Sequence, residues 1–101
     1  MSERRERVPP GQGVTKGWPL LHVGEVPATP RERWTLRVHG EVERPLVLAW
    51  NELLALAQVR VTADFHCVTG WSTLDNAWEG VALATLAQHA GVRARARFVR
   101  C

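Results

Sequence analysis

The stretch VRVTADFHCVTGWS, residues 59–72, decides how this chain folds. Its beginning, VRVTADFHC, alternates between apolar and polar side chains. Because successive side chains of a β-strand point to opposite faces, this alternation predicts a strand that ends at Cys67. The residues on its apolar face are Val59, Val61, Ala63, Phe65 and Cys67. A lone cysteine in that position can pack against a core, attack a substrate or bind a metal.

Two strands and a helix are predicted upstream of this stretch. The run RWTLRVHGEVE, residues 33–43, alternates like a half-buried strand, and RPLVLAW, residues 44–50, continues as a second short strand. The run NELLALAQ, residues 51–58, has the apolar spacing of a short helix. The side chains expected on the buried side of that helix are Leu53, Leu54 and Ala57.

The sequence after the cysteine predicts a loop, a helix and the opening of a strand. VTGWSTLDNAWEG, residues 68–80, contains several turn-forming residues and is expected to be a loop. VALATLAQHAG, residues 81–91, is expected to be an amphipathic helix with Gly91 as its C-terminal cap. ARFVRC, residues 96–101, is expected to open another strand and to leave an unpaired sheet edge. These elements predict an α+β fold with a mixed β-sheet and two short helices.

The domain boundaries follow from composition. The chain has 101 residues, enough for one small domain. Residues 1–16 are charged and rich in proline and glycine, so they are expected to form a flexible N-terminal arm. Residues 17–101 are expected to form the domain itself. Inside it, prolines block a helix within residues 18–30, which predicts an irregular, partly buried loop.

Charge and cysteine content bound the function classes. The formal net charge is +3 and the pI is about 9.7, with arginines gathered near both ends. No basic–aromatic platform accompanies them, so we expect a solvated surface and no nucleic-acid partner. No segment has the ~18 apolar residues of a membrane span, and the charged N-terminus lacks the apolar run of a signal peptide. Two cysteines are too few for a disulfide scaffold, so we expect a cytoplasmic protein with free thiols.

The residue pattern leaves several roles for Cys67 open. The simplest is a buried cysteine that packs as a small hydrophobe. As a nucleophile it needs a base, but His66 is expected on the opposite face of the strand, so another histidine such as His22 would have to approach. A Cys/His hydrolase is therefore one alternative. Structural zinc needs four ligands, usually in spaced pairs, and only a cofactor that brings its own sulfur ligands would suit a single thiolate.

Several segments in order resemble one family. DFHCVTGWS, residues 64–72, followed by WEGVAL, residues 78–83, resembles the molybdopterin-binding oxidoreductase domain of the sulfite oxidase family. WTLRVHGEVERPLVLAWNELLAL, residues 34–56, and WPLLHVGEVP, residues 18–27, resemble the segments that precede the cysteine strand in that family. The resemblance spans about residues 9–100. It implies that this chain is the N-terminal part of the sulfite oxidase fold.

The resemblance implies a specific role for the cysteine. In that family the central cysteine is the one protein ligand to molybdenum, and the pterin dithiolene and oxo groups supply the other ligands. Carried over, Cys67 is the catalytic metal ligand of a molybdenum-cofactor-dependent oxidoreductase. The reaction would transfer an oxygen atom to or from a small-molecule substrate, with electrons passing to a separate carrier. His22 matches a family loop whose polar residues touch the pterin or its phosphate; the alternative is an ordinary exposed loop histidine.

The residues after the cysteine resemble one branch of the family. Animal-type sulfite oxidases have arginines there that help bind the anionic substrate, whereas this chain has VTGWS, residues 68–72. That is closer to the bacterial branch, which includes the methionine sulfoxide reductase catalytic subunit. The resemblance therefore does not support sulfite and leaves methionine sulfoxide open. That subunit carries an export leader, and none is recognisable here.

The family domain is considerably longer than this chain, so we expect a truncated domain whose activity alone is in doubt. The rival expectation is a non-catalytic apo fragment that associates with another chain through an open sheet edge. Other polar and aromatic residues are expected to be structural or solvated. The structural ones are His66, Trp71 and Trp78, and the solvated ones are His39, His89, Asp64, Asp75 and Glu79.

Overall fold

A computed structural model of the chain describes residues 6–101, which contain five strands and two helices. In chain order they are β1 (Gly13–Val14), β2 (Thr35–Val38), β3 (Leu46–Ala49), α1 (Trp50–Ala55), β4 (Val59–Cys67), β5 (Trp71–Gly80) and α2 (Leu83–Ala90). The described residues form two units, one of residues 6–26 and 60–79, the other of residues 27–59 and 80–101. The α+β class and the mixed sheet with two short helices are confirmed.

The first unit contains a sheet with the strand order β1-β5-β4. Strand β1 runs parallel to β5, with Gly13 opposite Trp71 and Val14 opposite Ser72. A tight turn over residues 68–70 joins β4 to β5, and the Gly70 N–H donates to the Cys67 carbonyl across 3.0 Å. Gly70 has a φ of 95°, a conformation that favours glycine. The turn therefore places Cys67 where two neighbouring strands meet.

The prediction of a loop over residues 68–80 is wrong, because only the turn is irregular and the rest is strand β5. Ser72 and Thr73 are residue types that are common in loops, yet both side chains are buried. Their hydroxyls have hydrogen-bond partners, so the strand buries polar groups without leaving them unpaired. Asp75 is the only non-glycine residue with a positive φ among the described residues, at 57°, and β5 continues through it.

Strand β4 has the predicted boundaries, but its apolar face is not covered as expected. Val59 is 42% exposed, Val61 is 52% exposed and Phe65 is 36% exposed. The alternation therefore identified the strand correctly, while the burial inferred from it is wrong within the described residues. Only Cys67 and Ala63 on that face are half-buried.

The expected N-terminal arm makes specific contacts in its described part, and residues 1–5 of it lie outside the described residues. Arg7 Nη1 contacts the Asp64 carboxylate at 3.1 Å and the Asp75 carboxylate at 3.0 Å. Residues of β1 pair with β5 farther along the same segment. The domain boundary after residue 16 stays a prediction. The expectation that Asp64 is a solvated charge is wrong, because its side chain is only 15% exposed.

The loop expected within residues 18–30 is irregular, as predicted, but it is exposed rather than partly buried. Leu20 is 91% exposed and Val23 is fully exposed. Its prolines exclude a helix, and no strand of the described residues pairs with it.

The second unit contains the antiparallel pair β2 and β3, with Leu36 opposite Leu48. Trp34 packs edge-on against Trp50, with ring centroids 5.2 Å apart. Glu52 Oε1 accepts the Ala49 N–H at the start of α1, which satisfies one of the free donors of that helix end. The predicted alternation over residues 34–39 is confirmed, since the apolar members are half-buried and the polar ones exposed.

The buried side predicted for α1 is only partly right. Leu53 is half-buried, whereas Leu54 and Ala57 are exposed. A helix of 6 residues has less than two turns, so its apolar stripe is too short to cover more. The strand expected over residues 96–101 is also absent, because no described strand or bridge pairs with this segment.

Helix α2 ends at Gly91, as predicted, in the left-handed conformation with a φ of 67°. Arg44 lies against this end, where its Nε donates to the His89 carbonyl and its Nη2 to the Gln88 carbonyl. A Cβ built on Gly91 would lie 2.9 Å from Arg44 Nη2 and 3.2 Å from Glu43 Cβ. Glycine is therefore favoured at position 91 for two reasons: the backbone is left-handed, and Arg44 and Glu43 lie too close for a Cβ.

Gly91→Ala is expected to lower the free energy of unfolding by about 2 kcal/mol, since left-handed backbone costs ~1–2 kcal/mol for a non-glycine residue and the Arg44 contacts must also shift. The matched control is Gly24→Ala, where φ is 75° but nothing lies within 4 Å of the added Cβ. Gly24→Ala should cost only about 1 kcal/mol. Urea unfolding checks both, and equal losses would contradict the crowding at Gly91.

Candidate functional site

Cys67 lies at the end of β4, half-buried, and its sulfur accepts a hydrogen bond inside the turn. Thr69 Oγ1 donates to Cys67 Sγ across 3.0 Å. This hydrogen bond is the main reason that the pKa of the Cys67 thiol is lowered; the backbone N–H groups of Thr69 and Val68 add to it, and burial opposes it. A lowered pKa favours the thiolate, which is the form of cysteine that binds metals and acts as a nucleophile.

A chain of hydrogen bonds supports the backbone beneath Cys67. Gln12 Nε2 donates to the Cys67 carbonyl across 3.0 Å, and Gln12 Oε1 accepts from Ser72 Oγ. Ser72 Oγ in turn contacts His66 Nδ1 at 2.8 Å. The chain of bonds begins and ends on neighbouring residues of β4, so it ties the end of that strand to β5 and to the segment before β1.

The hydroxyl of Ser72 fixes the tautomer of His66. A serine hydroxyl has a single hydrogen, and here it is donated to Gln12. Ser72 therefore accepts the hydrogen of His66 Nδ1. Because His66 is bound to Ser72 and the Cys67 sulfur to Thr69, no hydrogen bond joins Cys67 to a histidine among residues 6–101. This agrees with the expectation that His66 is a poor base for Cys67.

An aromatic cluster lies on the same unit. Trp71 packs against Trp18 and Phe65, with ring centroids 5.5 Å apart in each pair, and Trp18 approaches Phe65 to 4.8 Å. Trp78 joins the cluster edge-on against Trp18 at 5.8 Å. The indole Nε1 of Trp71 is buried without a hydrogen-bond partner among the described residues. The cluster therefore holds Trp71, four residues after the cysteine, in a fixed place with one donor unused.

His22 lies in the exposed loop of the same unit. Its Nδ1 is 2.6 Å from the Gly24 carbonyl, and since a carbonyl only accepts, Nδ1 carries the hydrogen. Nε2 of the neutral ring is then an acceptor, and it becomes a donor only when the ring is protonated. No hydrogen bond joins His22 to Cys67 in the described part of the chain.

Among residues 6–101, Cys67 is a half-buried sulfur ligand with no cluster of further ligands around it. In residues 6–101, no group of three or more His, Cys, Asp or Glu side chains lies together in a way that could hold a metal ion. Both cysteines are free, Cys67 half-buried and Cys101 exposed. A metal at Cys67 would need its other ligands from a cofactor, and a half-exposed thiol with a lowered pKa suits such a cofactor. A search of the same residues finds no helix long and apolar enough to cross a membrane.

Sequence reasoning missed three contributors to this site. Gln12 was assigned to the arm, Thr69 to the loop, and Trp18 to the irregular segment. A threonine two residues after a strand-end cysteine is a signal that could have been used, because a tight turn returns that side chain toward the sulfur. Gln12 and Trp18 are distant in sequence from Cys67, and only the parallel pairing of β1 with β5 and the ring contacts reveal them.

Comparisons with known proteins find one matching family and several relatives. Residues 23–101 match the family described as oxidoreductase molybdopterin binding domain. The chain is 42% identical over 99 residues to the uncharacterized oxidoreductase YuiH of Bacillus subtilis (strain 168), covering 97% of this chain and 50% of that protein. It is 30% identical over 69 residues to the protein-methionine-sulfoxide reductase catalytic subunit MsrP of Campylobacter jejuni, covering 68% of this chain and 23% of that protein. No solved structure matches the chain significantly.

Thr69→Val is expected to raise the pKa of the Cys67 thiol, because the hydroxyl that stabilises the thiolate is removed. At a fixed pH below that pKa, less thiolate is present and iodoacetamide should alkylate Cys67 more slowly. The rate is measured against pH in a Cys101→Ser background. Thr69→Ser keeps the hydroxyl and should retain the wild-type profile; identical profiles for the valine and serine variants would contradict the assignment.

Proposed function

Because the chain belongs to the oxidoreductase molybdopterin-binding domain family, we propose that Cys67 is the protein ligand to the molybdenum of a molybdopterin cofactor. The proposed activity is the transfer of an oxygen atom to or from a small substrate. The chain spans half the length of YuiH and less of MsrP. We therefore attribute turnover to the cofactor-loaded whole protein, and the metal ligand to this chain.

The observation that carries the proposal is the state of the Cys67 sulfur. It ends a strand, it is half-buried, and Thr69 donates to it in a way that lowers its pKa. A soft thiolate is a suitable ligand for a metal whose other ligands are also sulfur. When bound, the cofactor would supply the redox-active metal at which the oxygen atom is exchanged. The protein's part at this position is to present a deprotonated sulfur in a fixed direction.

His22 is the second residue in the proposal, as a contact for the pterin or its phosphate. With its Nδ1 hydrogen on Gly24, the ring would accept a pterin N–H through Nε2, or donate to a phosphate oxygen when protonated. Its exposure leaves Nε2 accessible. Trp71 would form one wall of the site beside Cys67, since the aromatic cluster fixes its ring.

The proposal also includes a separate protein that carries the electrons. It includes a cytoplasmic location, because both thiols are free.

A second candidate function rests on the open side of the first unit. Strand β4 is at one end of the strand order, and its Val61 is exposed. An edge strand with apolar side chains is a template for pairing with another chain. In this candidate the chain is a non-catalytic apo fragment that self-associates through β4. The free thiol of Cys67 would then have only a local structural role.

Molybdenum content tests the first candidate. The chain is produced in a host that makes the cofactor, and metal per chain is measured for wild type, Cys67→Ala and Cys101→Ala. Wild type and Cys101→Ala should carry similar molybdenum, and Cys67→Ala should lose most of it because the protein ligand is gone. Equal metal in Cys67→Ala and Cys101→Ala would show that the cysteine ligand is misassigned.

Size-exclusion chromatography at two protein concentrations tests the second candidate. Association through β4 predicts earlier elution at the higher concentration. Val61→Lys should abolish that shift, because a charge on an edge strand disfavours pairing. Val47→Lys is the matched control, since Val47 is an exposed valine of the other unit, on β3. Elution that does not change with concentration would reject this candidate.

A further inference from the structure

The backbone of Cys67 is held by a side chain that lies outside the residues matching the family. Gln12 precedes the matched residues 23–101, yet its amide lies between β4 and β5. Its Nε2 donates to the Cys67 carbonyl, while its Oε1 accepts from Ser72. Both ends of the amide are therefore engaged within the site.

The Cys67 carbonyl has both of its acceptor positions filled. One hydrogen bond comes from the Gly70 N–H inside the turn and the other from Gln12 Nε2, each at 3.0 Å. The orientation of this carbonyl fixes the peptide plane after Cys67. That plane and the strand on the other side fix the direction of the Cα–Cβ bond and restrict the χ1 rotamers that the sulfur can adopt.

Gln12 is itself fixed from both sides. Its backbone N–H donates to the Pro9 carbonyl at 3.2 Å, and the next residue, Gly13, donates to the Gly70 carbonyl at 3.0 Å. Ser72 is fully buried, so the hydroxyl that meets Gln12 has no water to replace it. Gln12 is therefore held in one position. Its removal would leave the buried Ser72 hydroxyl and the Cys67 carbonyl each with one hydrogen-bond partner fewer.

We infer that Gln12 is a positioning residue for Cys67, which holds the carbonyl of the cysteine so that the sulfur keeps one direction. This inference rests on the proposed role of Cys67 as a metal ligand. Residues that orient a metal ligand through hydrogen bonds typically change metal affinity by about 10–100-fold when removed. The hydrogen bond of Gln12 goes to the carbonyl of Cys67, while that of the sulfur comes from Thr69, so Gln12 acts through the backbone of Cys67.

The first arm of the test uses the metal-free chain and two variants. Gln12→Ala removes both hydrogen bonds; Gln12→Glu keeps the size and the acceptor for Ser72 but loses the donor to Cys67. NMR couplings report the χ1 rotamer of Cys67, and hydrogen exchange reports the Gly70 N–H. Wild type should show one rotamer. Both variants should show averaging of the Cys67 χ1 rotamers. Exchange of the Gly70 N–H should be about fivefold faster, because the carbonyl that accepts it loses the hydrogen bond from Gln12.

The matched control is Gln58→Ala. Gln58 Nε2 donates to the carbonyls of Leu53, Leu54 and Leu56, so this change removes a glutamine with backbone acceptors in the other unit. It should leave the Cys67 rotamer and Gly70 exchange unchanged. The Glu43 N–H, bonded to Gly91 at 2.9 Å, is the reference amide and should be unaffected by either Gln12 variant. A general loss of stability would speed hydrogen exchange at both Gly70 and Glu43 and leave the Cys67 χ1 rotamer unchanged.

The second arm measures molybdenum per chain in wild type, Gln12→Ala and Cys67→Ala. Metal that is present in wild type, absent in Cys67→Ala and strongly reduced in Gln12→Ala supports the inference. An unchanged Cys67 rotamer and unchanged Gly70 exchange in both Gln12 variants would overturn it. Metal retained in full by Cys67→Ala would instead overturn the proposed function, and the rotamer and exchange results would still decide the role of Gln12.

Discussion

The structure around the candidate site depends on the hydrogen bonds that converge on Cys67. The carbonyl accepts from Gly70 and Gln12, and the sulfur accepts from Thr69. These bonds close the turn between β4 and β5, attach the segment before β1, and lower the pKa of the thiol. Without them the strand end would be an ordinary hairpin tip. With them, the Cys67 sulfur is held in the turn and its pKa is lowered, which favours the thiolate.

The sequence predicted the strand that ends at Cys67 because alternation is a local property of the backbone. It also predicted the end of α2 at Gly91, since a left-handed cap needs glycine. Strand β5 was missed because Ser72 and Thr73 are common in loops, and only their partners across the unit show that they are buried in a strand. Contacts that join residues far apart in sequence leave no local pattern.

Some residues of the candidate site could likewise be predicted from the sequence, and others could not. Cys67 followed from its strand and from the resemblance; the family is shown, and the role of Cys67 as a metal ligand stays a proposal. The role of His22 followed from the resemblance alone and stays a prediction. Gln12 could not be identified, because a glutamine in a proline- and glycine-rich segment has no distinguishing feature before it is placed against the Cys67 carbonyl. The ion pairs of Arg7 with Asp64 and Asp75 are likewise tertiary.

The proposed function depends on whether the sulfur of Cys67 binds molybdenum. The most direct measurement is X-ray absorption at the molybdenum edge of a Cys101→Ala protein made with selenocysteine in place of its remaining cysteine. The metal-free protein is then loaded with cofactor from ordinary cells, so that selenium enters only at position 67. The account predicts a selenium atom in the first coordination shell of molybdenum. A shell of sulfur and oxygen without selenium would contradict it.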